Sequence, residues 1–364
     1  MHTDIAARDH VVVLGWQGDV CLPVGFRNVS GDLVIERIPD AVDTKSLKGS
    51  VRLLLRKFAR RWVGAPEETV RLAIPQLGDH DLIEYEDDPA AVAAAVEGAE
   101  HIAVLIHGIL GDSRAMVLGS LRGDADGPGL ADRYDLVLAI DYENIHTTVD
   151  DTARQLLAKL TAAGVSPEKP VDLVVHSMGG LVARWMVEVL EGAPLVRRLL
   201  MFGTPNNGSP WPRVQDAAWT LLTFGLNRVV PFAWPAAVFS GLLGTIERVD
   251  NALDDMTPGS ERLRALGESP DPGTPYVVIA GNTSLMDSDE KAGVAKVALT
   301  LARRAAWAVS LGHDNDIAVV VESARALPAG RVPAPDLRVI GCDHLSYFSS
   351  SAGLAALRDA VKDR

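Results

Sequence analysis

Residues 172–184 read DLVVHSMGGLVAR. Leu173 to Val175 is a short apolar run, and Leu181, Val182, Trp185 and Met186 follow at helical spacing, so the segment predicts a strand, a tight turn and a helix. The turn is His176-Ser177-Met178-Gly179-Gly180. A serine at such a junction is lifted clear of the sheet, and Gly179 and Gly180 supply the small side where helix backbone passes close to strand. An ordinary strand-to-helix turn of another α/β protein would show the same pattern, so the surrounding chain has to decide.

On both sides of this stretch, strands and helices alternate. Strands are predicted at Thr69 to Ile74, Leu82 to Tyr85, Glu100 to Ile106, Tyr134 to Asp141, Val196 to Phe202, Pro275 to Gly281 and Val332 to Gly341. Helices are predicted at Pro89 to Gly98, Thr147 to Ala163, Lys291 to Leu311 and Ala352 to Lys362. Such alternation implies an α/β protein with a mostly parallel sheet flanked by helices and a site at the carboxyl ends of its strands. His10 to Ile38 differs: short apolar runs broken by turn residues read as a β-rich extension.

Three further motifs stand at strand ends. His107-Gly108-Ile109 follows the third strand, Gly203-Thr204-Pro205-Asn206-Asn207-Gly208-Ser209 the sixth, and Asp343-His344-Leu345-Ser346-Tyr347-Phe348 the last. With HSMGG, these resemble the α/β-hydrolase superfamily, and within it the lipase and esterase branch, from about Ala99 to Lys362. One departure is Val175, where the family usually has Gly or another small residue two before the serine. The resemblance implies an α/β-hydrolase fold and a serine nucleophile, with the chain order Ser, acid, His met by Ser177, Asp316 and His344. Asp316 lies in NDIAVVVESA, similar to the ND-G-x-V segment of bacterial lipases with Ile317 in place of Gly; its rivals as the acid are Asp314, Asp287 and Asp289. The backbone N–H groups of Ile109 and Met178 would form the oxyanion hole, and His107 would hold the loop. Chemically the set is coherent, because a serine hydroxyl becomes nucleophilic only when a histidine, oriented by a carboxylate, takes its proton.

Residues 206–240 are rich in aromatics, including Trp211, Trp219, Phe224 and Trp234, and are punctuated by Pro210, Pro212, Pro231 and Pro235, within an insertion of about 206–260. In the resemblance this is a helical lid, with a second cap piece at about 285–312. Its apolar face would take an acyl chain, or its aromatics would simply pack a small subdomain. The expected organisation is thus an extension over residues 1–66 and a hydrolase domain over 67–364. Lys45 to Trp62 (KSLKGSVRLLLRKFARRW) reads as a basic amphipathic helix, either lying on an anionic membrane as a peripheral contact or packed on its own domain.

The bulk numbers agree with a globular protein. In 364 residues, 48% hydrophobic and 23% charged, there is room for a sizeable core, and a formal net charge of −13 argues against nucleic acid as a partner. Cys21 and Cys342 fit no metal pattern and read as reduced thiols, or as one long-range disulfide. No HExxH-type motif or other metal site is read, and no cofactor is implied. The first ten residues, MHTDIAARDH, carry charge where a signal peptide needs an apolar core, and no run is long enough to span a bilayer, so a cytoplasmic location is expected. The resemblance implies hydrolysis of carboxylic esters, lipid esters foremost. Acyl transfer or thioester cleavage by the same residues, and a catalytically silent binding module, are the alternatives.

Overall fold

Two sheets organise the chain. The computed structural model describes residues 10–17, 20–27, 33–35, 54–58, 70–78, 83–108, 113–123, 125–142, 147–209, 251–286 and 312–362. The first sheet is antiparallel and four-stranded: β1 (His10–Gln17), β2 (Val20–Arg27), β3 (Leu33–Ile35) and β4 (Leu54–Phe58) lie in the order β3-β2-β1-β4.

This corrects the expected helix over Lys45 to Trp62. Leu54–Phe58 is a strand, with Leu54 opposite Leu14 and Phe58 opposite His10. A helical period found in one segment is a local signal. A neighbouring strand as β-branched as HVVVLGWQ offers a full row of backbone partners, and such long-range pairing overrides it. Residues 45–53 and 59–62 lie outside the described residues. The membrane reading rested on that helix.

The second sheet has eight strands. They are β5 (Val70–Leu77), β6 (Ile83–Glu86), β7 (Ile102–Ile106), β8 (Leu136–Tyr142), β9 (Val171–His176), β10 (Val196–Phe202), β11 (Tyr276–Gly281) and β12 (Asp336–Ile340). Their order is β12-β11-β10-β9-β7-β8-β5-β6, parallel from β7 to β12, with β5 antiparallel to both β8 and β6. This is the α/β-hydrolase fold.

Strand β7 (IAVLI) is buried along its whole length, because alternate residues enter two separate cores. Ile102, Val104 and Ile106 join the core that includes Val92 and Val96 of α1 (Pro89–Gly98), whereas Ala103 and Leu105 join that of Met116 and Val117 in α2 (Arg114–Arg122). Helices α3 (Val149–Ala162) and α4 (Met178–Arg184) cover the first of these faces, and Ser351–Ala360 the second. The strand order reverses around β7, which lies between β8 and β9. Chain leaving the carboxyl ends of β7 and β9 therefore diverges and leaves a crevice, and the HG and HSMGG loops both open onto it.

Candidate active site

Ser177 leaves β9 with φ 53° and ψ −127°. A non-glycine residue there costs on the order of 1–3 kcal/mol and persists only where the surroundings dictate it. Here they do. Ser177 N donates to Phe202 O at 2.9 Å, and Gly180 N donates to Ser177 O at 3.0 Å. A Cβ on Gly179 would land on the carbonyl oxygens of His107 and Ile106, the latter 2.6 Å away, and one on Gly108 would sit 2.6 Å from Ser177 Cβ. Val175 is fully buried in the core, in register with Ile106 and Met201, and the strained turn forms with this larger side chain in place.

From Ser177 a chain of hydrogen bonds runs inward. Its Oγ lies 2.9 Å from His344 Nε2, and His344 Nδ1 lies 2.8 Å from Asp316 Oδ2. A carboxylate only accepts, so Nδ1 carries the proton and Nε2 presents its lone pair to the serine hydroxyl. Ser177, His344 and Asp316 are all buried. A neutral imidazole held in this way can draw a proton from the serine and keep the resulting charge paired.

Asp316 is tightly held. Its Oδ1 accepts from Ala318 N at 3.0 Å and Val319 N at 2.7 Å, and its carbonyl accepts from His344 N at 2.7 Å. The GTPNNGS segment braces the same region: Ser209 Oγ donates to Ala318 O, Ser323 Oγ to Gly208 O, and Asn206 Nδ2 to Ala324 O. Ile317 stands at φ 91°, where the resembled lipase pattern has glycine.

The other expected residues divide. Asp314 is exposed and accepts from Ser284 Oγ, while Asp316 is the one that meets His344; Asp287 and Asp289 lie outside the described residues. Met178 opens α4, so its N–H has no intrahelical acceptor and is available beside Ser177. Ile109 lies outside the described residues, as do Trp211, Trp219, Phe224 and Trp234 and most of both lid segments. His107 is buried: its ring stacks on Tyr142 at 4.5 Å, its Nδ1 lies 2.7 Å from Gly108 O, and its carbonyl accepts from Tyr142 Oη. It braces the loop after β7.

Two residues of the site escaped the sequence reading. His176 Nε2 donates to His344 O at 2.8 Å, and the two rings lie 4.8 Å apart. Burial, then the nearby His344, pushes His176 down to about 3, so it stays uncharged. Tyr347 Oη donates to Asp316 Oδ2 at 2.8 Å. His176 was visible as part of HSMGG and Tyr347 as part of DHLSYF. Neither motif says what the side chain meets across the fold.

Behind the turn, α4 is anchored by a buried ionic cluster. Glu188 accepts from Arg184 Nε at 2.7 Å, Arg331 Nη2 at 2.7 Å and Tyr276 Oη at 2.9 Å, and also from Ser269. Arg184 continues to Asn206 Oδ1 and Leu266 O, both at 3.0 Å. Among the described residues no group of three or more His, Cys, Asp or Glu side chains could hold a metal ion, and no helix is long and apolar enough to cross a membrane.

Fold and geometry together define an α/β-hydrolase-fold protein in which a serine, a histidine and an aspartate are hydrogen-bonded in series. The chain belongs to the family described as Domain of unknown function (DUF7379), which matches residues 67–362. No curated protein matches it. Among solved structures it is similar to the mature lipase BlEst2 of Bacillus licheniformis, at 19% identity over 72% of this chain and 93% of that one, with a TM-score of 0.47. It is also similar to lipase 1 of Pelosinus fermentans, at 14% identity over 72% and 98%, with a TM-score of 0.47. A third is YbtT, a type II thioesterase of the yersiniabactin pathway, at 16% identity over 73% and 93%, with a TM-score of 0.42.

Proposed function

We propose that this protein is a serine hydrolase of carboxylic esters, lipid esters among them, acting through an acyl-enzyme on Ser177. The observation that carries the reading is the unbroken series Ser177 Oγ, His344 Nε2, His344 Nδ1, Asp316 Oδ2, with spacings of 2.9 and 2.8 Å. Ser177 Oγ attacks the ester carbonyl while His344 Nε2 takes its proton, and Asp316 stabilises the imidazolium. The N–H of Met178, with that of Ile109 as its partner, holds the oxyanion. His344 then protonates the departing alkoxide. A water molecule, deprotonated by the same nitrogen, attacks the acyl-enzyme and releases the acid.

The test is hydrolysis of p-nitrophenyl esters from short to long acyl chains, with Ser177→Ala as control and a fluorophosphonate as covalent probe. Turnover and labelling that vanish in the variant support the reading, and a preference for long chains supports lipid esters. Folded wild-type protein that neither turns over nor labels overturns it.

A further inference from the structure

Asp316 reaches the site differently from its two partners. Ser177 is delivered directly by β9 and His344 by the short loop after β12, whereas Asp316 lies far along the chain from Gly281, the end of β11. Its two contacts from Ala318 and Val319 come from its own turn and orient the carboxylate only relative to that turn. The backbone of the turn is already braced by Ser209 Oγ on Ala318 O, Thr283 N on Asn315 O and His344 N on Asp316 O, which leaves the carboxylate itself to be tied to the sheet. Tyr347 does so: Gly281 N donates to Tyr347 Oη at 2.6 Å, and the hydroxyl donates onward to Asp316 Oδ2 at 2.8 Å.

Space for this bridge is made by glycine at the ends of two strands. A Cβ on Gly281 would lie 2.7 Å from Tyr347 Oη and 2.9 Å from Asp316 Cβ; one on Gly203 would lie 2.7 Å from Tyr347 Cε2 and 3.0 Å from Asp316 Oδ2. The ring is fully buried and sits edge-on to Phe202 and His176. The oxygen it reaches is also the one that accepts from His344 Nδ1.

We propose that Tyr347 is a positioning residue of this site: its hydroxyl pins Asp316 to the end of β11 and, by sharing Oδ2 with His344, sets how strongly the histidine holds a proton. The proposal rests on the reading of Ser177, His344 and Asp316 as the reacting groups. A donor to Oδ2 draws charge from the carboxylate, so the imidazolium is less stabilised than it would be against an unshared oxygen. Among the described residues, the titratable groups facing the His344 ring are Asp316, Tyr347 and His176, and those facing the Tyr347 hydroxyl are Asp316 and Cys342. His176 is uncharged in the working range. Burial, and then Asp316, holds the Tyr347 hydroxyl well above its usual value, so it remains a donor.

The experiment compares full-length wild type with Tyr347→Phe, which keeps the ring and removes the donor. The expected results are kcat/KM lower by about tenfold, chiefly in kcat, and an acidic limb of the kcat/KM profile moved up by roughly half a pH unit. NMR titration of the His344 ring without substrate should move in the same direction. If Tyr347→Phe does not fold, 3-fluorotyrosine at position 347, of nearly the same shape but a stronger donor, should move both titrations to lower pH. A purely structural tyrosine would alter the melting temperature and leave these titrations in place. Unmoved titrations in the folded variant, or with the fluorotyrosine, overturn the proposal. Wild type that neither hydrolyses esters nor labels, while its ring titration still responds at position 347, would sink the hydrolase reading and leave the positioning role standing.

Discussion

Ser177 and Ile317 both stand in the left-handed region, at φ 53° and 91°, but the chain around them differs. At Ser177 the strained backbone is accommodated by small residues, two in its own stretch and one at the end of β7. Gly179 and Gly180 let the helix close on β7 and on Thr204, and Gly108 leaves room for the serine Cβ. At Ile317 the side chain is β-branched and almost fully buried, and the turn is kept by hydrogen bonds: Ile317 N to Asn315 Oδ1 at 2.9 Å, and the next two N–H groups to Asp316 Oδ1. Strain at the serine aims a side chain and is accommodated by small neighbours. Strain at the isoleucine satisfies a carboxylate and is offset by burial of the side chain that suffers it.

The comparison can be broken most decisively from the acid side. Asp316→Asn leaves the shape of the turn but removes the charge that fixes the His344 tautomer. It should lower kcat on p-nitrophenyl esters by about 10³ to 10⁴-fold, with a melting temperature lowered as well, because the new amide meets the Tyr347 hydroxyl where an acceptor stood. A loss below tenfold would mean that the acid turn is scaffolding only.

Next in size is the anchor behind the serine. Burial alone would raise the Glu188 carboxyl, but Arg184 and Arg331 outweigh it and hold the group below its ordinary value of 4.5. The unfolded chain thus takes up this proton more readily than the folded one. The stability Glu188 contributes is full above about pH 4.5 and is lost as pH falls through the lower folded value. Glu188→Gln should cost about 4 kcal/mol at pH 7 in urea denaturation, since two buried arginines lose their counter-charge. The variant's stability should also fall less steeply than wild type below pH 4.5. Parallel curves would show that Glu188 is not the group responsible.

Gly179→Ala pushes a methyl group onto two backbone oxygens that cannot turn aside, and about 3 kcal/mol should be lost in the same assay. A neutral result would mean that the turn is less confined than its contacts imply. The smallest and sharpest test is at Ile317. Both Ile317→Ala and Ile317→Gly empty the same buried space, but only glycine relieves the backbone. Gly should therefore be the more stable of the two by about 1 kcal/mol, the reverse of the usual order. Ala equal to or better than Gly would show that φ 91° costs nothing here.

How much could be read in advance follows the same division. The parallel sheet, its flanking helices and the turn at Ser177 were legible because they are local: apolar runs of strand length, helical spacing and two adjacent glycines lie in sequence where they act. Motif and chain order point to Asp316 and His344 but leave Asp314, Asp287 and Asp289 open as rivals for the acid. No local pattern states which carboxylate a folded chain will bring within 2.8 Å of an imidazole. The period of Leu54–Phe58 predicts helix, but the segment is a strand, because its partner, His10–Leu14, lies forty or more residues away in the chain. By itself the sequence determined the alternation of strands and helices and the place of the turn that carries Ser177, since apolar spacing and paired glycines are patterns of neighbours in the chain. The tertiary structure alone decided which acid meets the histidine, and that Tyr347, held by Gly281 at the end of another strand, shares its oxygen. Hydrogen bonds between residues remote in sequence exist only once the strands that carry them are packed.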